Sequence, residues 1–161
     1  MNHPGVTSPF GMLRYAHEYL RAARIVEENR NDELVPPLYM LLGQSIELSL
    51  KAYLLARGAS LRDLRFSYGH DLRKLLDAAL QKRIDRLVPL QEFDLSTIRV
   101  LGDAYITHEL RYIVTGFRTL PNWSFSQRAA ALLTDGLHDY LLRQRIGKIA
   151  ASVRIEQKGR F

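Results

Sequence analysis

The 161 residues include no cysteine, a single tryptophan and six prolines, and no apolar stretch runs beyond about five residues (Ala129 to Leu133 is one of the longest). Without cysteine there can be no disulfide and no thiolate-ligated zinc or iron–sulfur site, and such a chain suits a reducing cytosol. Apolar runs this short fall far below the ~18 residues needed to cross a bilayer, so no membrane span is expected. The opening Met-Asn-His-Pro-Gly lacks a basic stretch followed by an apolar core, so no signal peptide is expected either. Period-2 alternation is also scarce, which argues against strands.

What is present is spacing near 3.6. Leu, Ala, Arg and Glu dominate the periodic stretches, and most glycines and prolines fall between them. The pattern predicts an all-α, up-and-down bundle of four or five helices in one domain, residues 1–151, followed by a basic tail over 152–161. The first helix is expected from Ser8-Pro9 to about Glu28, with Met12, Tyr15, Ala16, Tyr19, Leu20, Ala23 and Val26 on its apolar face. The second starts at Pro36-Pro37 and ends at Ala56, with Gly58 as a left-handed cap. Ser60 to Asp63 reads as a short capped turn. A third helix, capped by Asp71, extends to about Arg86. A fourth covers about Leu90 to Glu109 and turns Phe93, Leu95, Ile98, Leu101 and Tyr105 inward. After a long connection over residues 110–123, Ser124 and Gln127 form a capping-box pattern for the last helix, which runs to about Ala151.

The second helix is the informative one. At 100° per residue its apolar and small positions cover well over half the circumference, leaving Gln44, Glu47 and Lys51 as one narrow polar stripe. A helix this apolar belongs at the centre of a bundle. Its stripe is then either a solvated Glu47–Lys51 pair on a thin exposed edge, worth ~0.2–0.5 kcal/mol, or the lining of a polar pocket.

The string Leu42-Gly43-Gln44-Ser45-Ile46-Glu47-Leu48-Ser49-Leu50-Lys51-Ala52-Tyr53-Leu54-Leu55, then Gly69-His70-Asp71-Leu72, then Leu110-Arg111-Tyr112, resembles the HEPN domain family over about residues 10 to 145. The resemblance implies a helical bundle that pairs as a homodimer in the cytoplasm. It further implies one of two roles: a metal- and cofactor-independent ribonuclease of a toxin or defence system, or a non-catalytic RNA- or nucleotide-binding module that pairs with a nucleotidyltransferase or another partner protein. Active members carry Arg-x(4–6)-His. Arg65 and His70 match that spacing here, although they stand before the third helix rather than in a late one, which is what keeps the non-catalytic alternative in view.

Metal-free cleavage of RNA needs a base near neutral pH for the 2′-hydroxyl and a cation for the phosphorane charge. His70 with Arg65 supplies that pair of side chains; the alternative is a His70 that only packs the loop. His108 and Arg111 form a second such pair, with Tyr105 and Tyr112 as stacking rings; the alternative there is helix C-terminal capping. Glu47, Lys51, Tyr105 and Tyr112 complete the candidate nucleic-acid contacts, and across a dimer Lys51, His70, Arg111 and Tyr112 are expected to converge. His70-Asp71 and His138-Asp139, with His17 and Asp135, raise metal-dependent phosphohydrolase chemistry as a separate alternative. The formal charge of +6 is unevenly placed: residues 143–161 carry six cations against Glu156 alone, a net +5, which leaves the preceding chain nearly neutral.

Overall fold

In a computed structural model the described residues are 7–31, 33–107, 110 and 119–158, with side chains described as far as residue 150. Helix α1 (Pro9–Asn29) begins where expected: Ser8 Oγ accepts the Gly11 N–H at 3.0 Å, and Pro9 takes the first helical position, where no backbone donor is needed. Helix α2 (Val35–Ala56) closes in a Schellman motif. Ala59 N–H reaches the Leu54 carbonyl, Gly58 N–H reaches that of Leu55, and Gly58 holds φ +94°.

The stretch before the next long helix is wound rather than looped. A single turn, α3 (Leu61–Asp63), is capped reciprocally by Ser60 and Asp63 and runs straight into a π-helical turn over Leu64–Tyr68. Gly69, at φ +54°, then reverses the chain, a conformation that side chains with a Cβ resist. Helix α4 (Leu72–Gln81) starts at the expected cap, with Asp71 accepting from Lys74 N–H. It stops five residues short of the expected Arg86. Arg83 adopts φ 66°, and a 3₁₀ turn (Ile84–Arg86) follows; this bend brings Ile84 and Val88 into the core, while Tyr53 Oη donates to the Lys82 carbonyl freed at the helix end.

Helix α5 (Glu92–Ile106) starts later than Leu90 because Gln91 and Asp94 form its capping box. Asp94 is fully buried and also accepts from Arg128 of α6 (Trp123–Lys158) at 3.1 Å. Phe93 does not face inward as expected: it is exposed, packed against Phe125 and overlain by Arg128. The first amide of α6 to find a cap is Ser124 N–H, taken by Asn122 Oδ1, so the cap lies two residues before the expected Ser124. The backbone of α6 stays helical to Lys158, seven residues past the expected end at Ala151 and well into the basic segment.

The result is an all-α bundle with α2 at its centre, packed against α1, α4, α5 and α6. Leu38, Leu42, Ile46, Leu50 and Leu54 of α2 are fully buried, and the Ser45 hydroxyl donates to the Ala16 carbonyl of α1 at 2.8 Å. Among the described residues no helix is long and apolar enough to cross a membrane. The core face of α1 is Leu13, Ala16, Leu20 and Ala23, rotated from the expected one: Tyr15 is 62% exposed, and Met12 and Tyr19 are only partly covered.

Close approach of α5 to α2 depends on Gly43. A Cβ there would lie 2.4 Å from Tyr105 Cδ2 and 2.6 Å from Cε2, far inside contact distance. Replacing Gly43 with Ala gains helix propensity yet forces the ring away, and overpacking of this kind costs ~1–3 kcal/mol. Thermal unfolding of Gly43→Ala should fall by several degrees, and an unchanged Tm would refute the packing argument. A second prediction concerns the exposed pair between α4 and α5. Arg73 donates to Asp103 at 2.6 and 2.7 Å, and this bonding holds the Asp103 carboxyl below its ordinary range. A depressed folded-state pKa stabilises above the unfolded value of 3.8 and is lost as pH falls through the folded value. Asp103→Asn should therefore cost under ~1 kcal/mol at pH 7, and progressively less as the pH is lowered below the ordinary carboxylate range, in urea titrations.

Candidate functional site

The polar stripe of α2 is largely covered by the bundle, not a solvated edge. Glu47 is only 2% exposed, and a carboxylate at that depth requires partners. Three reach it from three elements. Lys51, one turn on, brings Nζ to 2.5 Å of Oε1 with its own side chain 12% exposed. Tyr105 of α5, 1% exposed, donates from its hydroxyl to Oε2 at 2.7 Å. His70, between the π-helical turn and α4, places Nδ1 at 3.0 Å from Oε2 and 3.1 Å from Oε1. Gln44 completes the group: its Oε1 lies 2.6 Å from the Tyr105 hydroxyl. A single phenol proton serves one of these two acceptors at a time, and the charged carboxylate is the stronger.

Local sequence explains each placement. Gln44, Glu47 and Lys51 share one face through i,i+3 and i,i+4 spacing. Gly43 admits the Tyr105 ring, and Gly69 turns the chain so that His70 reaches back across α2. The His70 ring meets the Tyr105 ring edge-on, with centroids 6.5 Å apart. With Glu47 ionised, Nδ1 carries the proton and donates, so the tautomer is set and Nε2 is left with its lone pair on an imidazole whose side chain is 48% exposed. A carboxylate holding one nitrogen while the other is left basic is the arrangement of a histidine general base.

The expected residues divide unevenly over this site. Glu47, Lys51, His70 and Tyr105 come together. Arg65 does not join them: its guanidinium stacks on the ring of its neighbour Phe66 at 5.2 Å, and among the described residues no hydrogen bond ties it to His70. Tyr105 is not an open stacking ring, because it is buried and its hydroxyl is committed. His108, Arg111 and Tyr112 lie outside the described residues. The histidine–aspartate pairs of the phosphohydrolase alternative are dispersed: His70 faces Glu47, Asp71 caps α4, His138 pairs with Asp139 at 3.2 Å, and His17 only packs edge-on against His138. Among the described residues no group of three or more such side chains is placed to hold a metal ion. Gln44, although on the stripe, is not among the site residues that spacing singles out; the signal that finds it is register, since it stands three residues before Glu47, four before Leu48 and seven before Lys51 on one face.

Removing one partner of a buried ion pair leaves the other uncompensated. Glu47→Ala should cost ~3 kcal/mol in urea unfolding, and a Glu47→Leu/Lys51→Met double variant should recover most of that loss. A cost below ~0.5 kcal/mol for Glu47→Ala would remove the carboxylate from its central role.

No family model matches the chain, and no curated protein or solved structure matches it; the chemistry of the site rests on its own side chains.

Proposed function

We propose that this bundle is a HEPN-like, cytoplasmic RNA-binding protein that cleaves RNA without a metal, using His70 as general base. The observation that carries the reading is the double contact of His70 Nδ1 with both oxygens of buried Glu47, at 3.0 and 3.1 Å. It supplies what the chemistry needs: a fixed imidazole, half exposed, whose Nε2 has no hydrogen-bond partner among the described residues. Nε2 takes the proton of a ribose 2′-hydroxyl, the 2′-oxygen attacks the adjacent phosphorus as the bond from phosphorus to the 5′-oxygen of the next nucleotide breaks, that oxygen takes a proton from water, and the imidazolium returns its proton to solvent. The products are a 2′,3′-cyclic phosphate and a 5′-hydroxyl. Glu47 is a positioning residue that keeps the tautomer and stabilises the imidazolium once it forms, while Lys51 offsets the charge of Glu47. Arg65, on the same exposed turn as His70, is the cation assigned to the phosphate, leaving its place over Phe66 to reach it.

A second reading has its own observation. Phe66 is 73% exposed, the most exposed of the large hydrophobic side chains among the described residues, and Arg65 is stacked on it rather than turned to His70. That favours a non-catalytic module, homodimeric or docked to a partner protein such as a nucleotidyltransferase, in which the Glu47 cluster is structural.

Incubation of the purified protein with RNA in EDTA separates the two. Cleavage giving cyclic-phosphate ends is expected from the native chain, with a loss of 10²-fold or more in His70→Ala. In Glu47→Gln, kcat should fall more than KM changes, and the acid limb of the pH–rate profile should shift. Absence of cleavage, or cleavage indifferent to His70→Ala, would overturn the enzyme reading and leave the interaction module.

A further inference from the structure

Beside the Glu47 cluster lies a cavity of about 530 Å³ between α1 and α2, lined by Met12, Tyr15, Tyr19, Gln44 and Leu48, with Thr7, Ser8 and Gly11 at its rim. Its α1 wall consists of the residues at i, i+3 and i+7 that helical spacing assigns to the core but that the bundle leaves partly or largely uncovered, Tyr15 most of all. Its α2 wall contains Gln44. The Gln44 carboxamide oxygen faces the Tyr105 hydroxyl, while its NH₂ has no hydrogen-bond partner among the described residues. Two phenol rings one turn apart offer π-faces, and a carboxamide with free donors offers an edge to read; these are the two elements with which proteins hold an unpaired base.

The position of the cavity also matters. Gln44 Oε1 lies 2.6 Å from the Tyr105 hydroxyl, that hydroxyl lies 2.7 Å from Glu47 Oε2, and Oε2 lies 3.0 Å from His70 Nδ1. The carboxamide in the cavity wall and the proposed base are therefore joined through one buried phenol and one carboxylate.

We propose that the Tyr15–Tyr19–Gln44 cavity is a subsite for a single unpaired nucleobase, stacked on the tyrosines and hydrogen-bonded along its edge by the Gln44 NH₂. This deepens the RNA reading above and rests on it. It also relocates the stacking surface: Tyr105, the ring sequence spacing favours, is buried beneath the site, and α1 supplies the exposed rings instead.

The test uses four fluorescein-labelled homopolymeric deoxyhexanucleotides, one for each base, with the full chain in EDTA and binding read by fluorescence anisotropy. These probes lack the 2′-hydroxyl and cannot be cleaved by the proposed route, so binding is measured apart from catalysis. At least one probe should bind, and Gln44→Ala and Tyr15→Ala should each weaken that binding about tenfold. Tyr15→Phe, which keeps the ring, should bind like the native chain, and His70→Ala should retain binding. Circular dichroism melts check that each variant is folded. If no probe binds, or if Gln44→Ala and Tyr15→Ala bind as tightly as the native chain, the subsite is overturned. The cleavage assay keeps the two readings apart: side-chain-dependent binding without any RNA cleavage upholds the subsite and overturns the general base, whereas cleavage unaffected by Gln44→Ala and Tyr15→Ala does the reverse. If Tyr15→Ala instead converts a sedimenting dimer to monomer and binding changes only with that transition, the face is an interface between copies and the subsite is overturned.

Discussion

A single ionised carboxylate at the centre of the bundle constrains nearly everything around it. Glu47 sits on the most apolar helix of the chain, where an isolated charge would be several kcal/mol out of place. Its two oxygens are therefore shared among Lys51 of α2, Tyr105 of α5 and His70 of the turn that leads into α4. The bonds from Tyr105 and His70 each draw a separate element onto α2. The Tyr105 contact requires the helices to approach so closely that only glycine fits at position 43, and the His70 contact requires the chain to reverse at Gly69 with a positive φ. The fold and the candidate site are thus one construction, because the groups that neutralise the buried charge are also the groups from which the candidate site is built.

Such a pair is a poor device for stability alone. Apolar side chains of similar volume in place of a buried ion pair are often neutral or stabilising by 1–4 kcal/mol, while a broken pair is costly. Lys51 and Tyr105 already suffice to satisfy Glu47, and a third donor from an exposed imidazole adds little to that balance. What the third contact does accomplish is orientation: it fixes which nitrogen of His70 carries the proton and which faces solvent. The asymmetry between a buried Nδ1 partner and an open Nε2 is the strongest physical argument that the cluster acts on something outside the protein.

Much of this was legible in the sequence where the determinants are local. Ser8-Pro9, Gly58, the Ser60–Asp63 box and the Asp71 cap each involve groups within a few residues of one another, and the structure places all four as spacing predicts. The polar stripe of α2 was equally readable, since 100° arithmetic needs no knowledge of neighbours. What spacing could not supply was the identity of the element opposite each face. Phe93 and Tyr105 both lie on the periodic face of α5, yet one ends in a surface stack with Phe125 and Arg128 and the other beneath the site. Tyr15 likewise has the spacing of a core residue and an exposed ring. The early end of α4 depends on Tyr53, 29 residues away, meeting the Lys82 carbonyl, and the winding of Leu64–Tyr68 has no local signature of the capping kind.

The same non-local geometry ties the proposed base to the proposed subsite. The Tyr105 hydroxyl has one proton and, among the described residues, faces two acceptors, Gln44 Oε1 and Glu47 Oε2, at nearly equal distances. When a ligand takes hydrogen bonds from the Gln44 NH₂, the amide polarises and its oxygen becomes a better acceptor, which competes with Glu47 for the phenol proton. A carboxylate that loses this donor leans more on its remaining partners, Lys51 and His70 Nδ1–H. The contacts at 2.6, 2.7 and 3.0 Å form an unbroken chain from the cavity wall to the imidazole, and they give Tyr105 a place that neither stacking nor core packing alone would require.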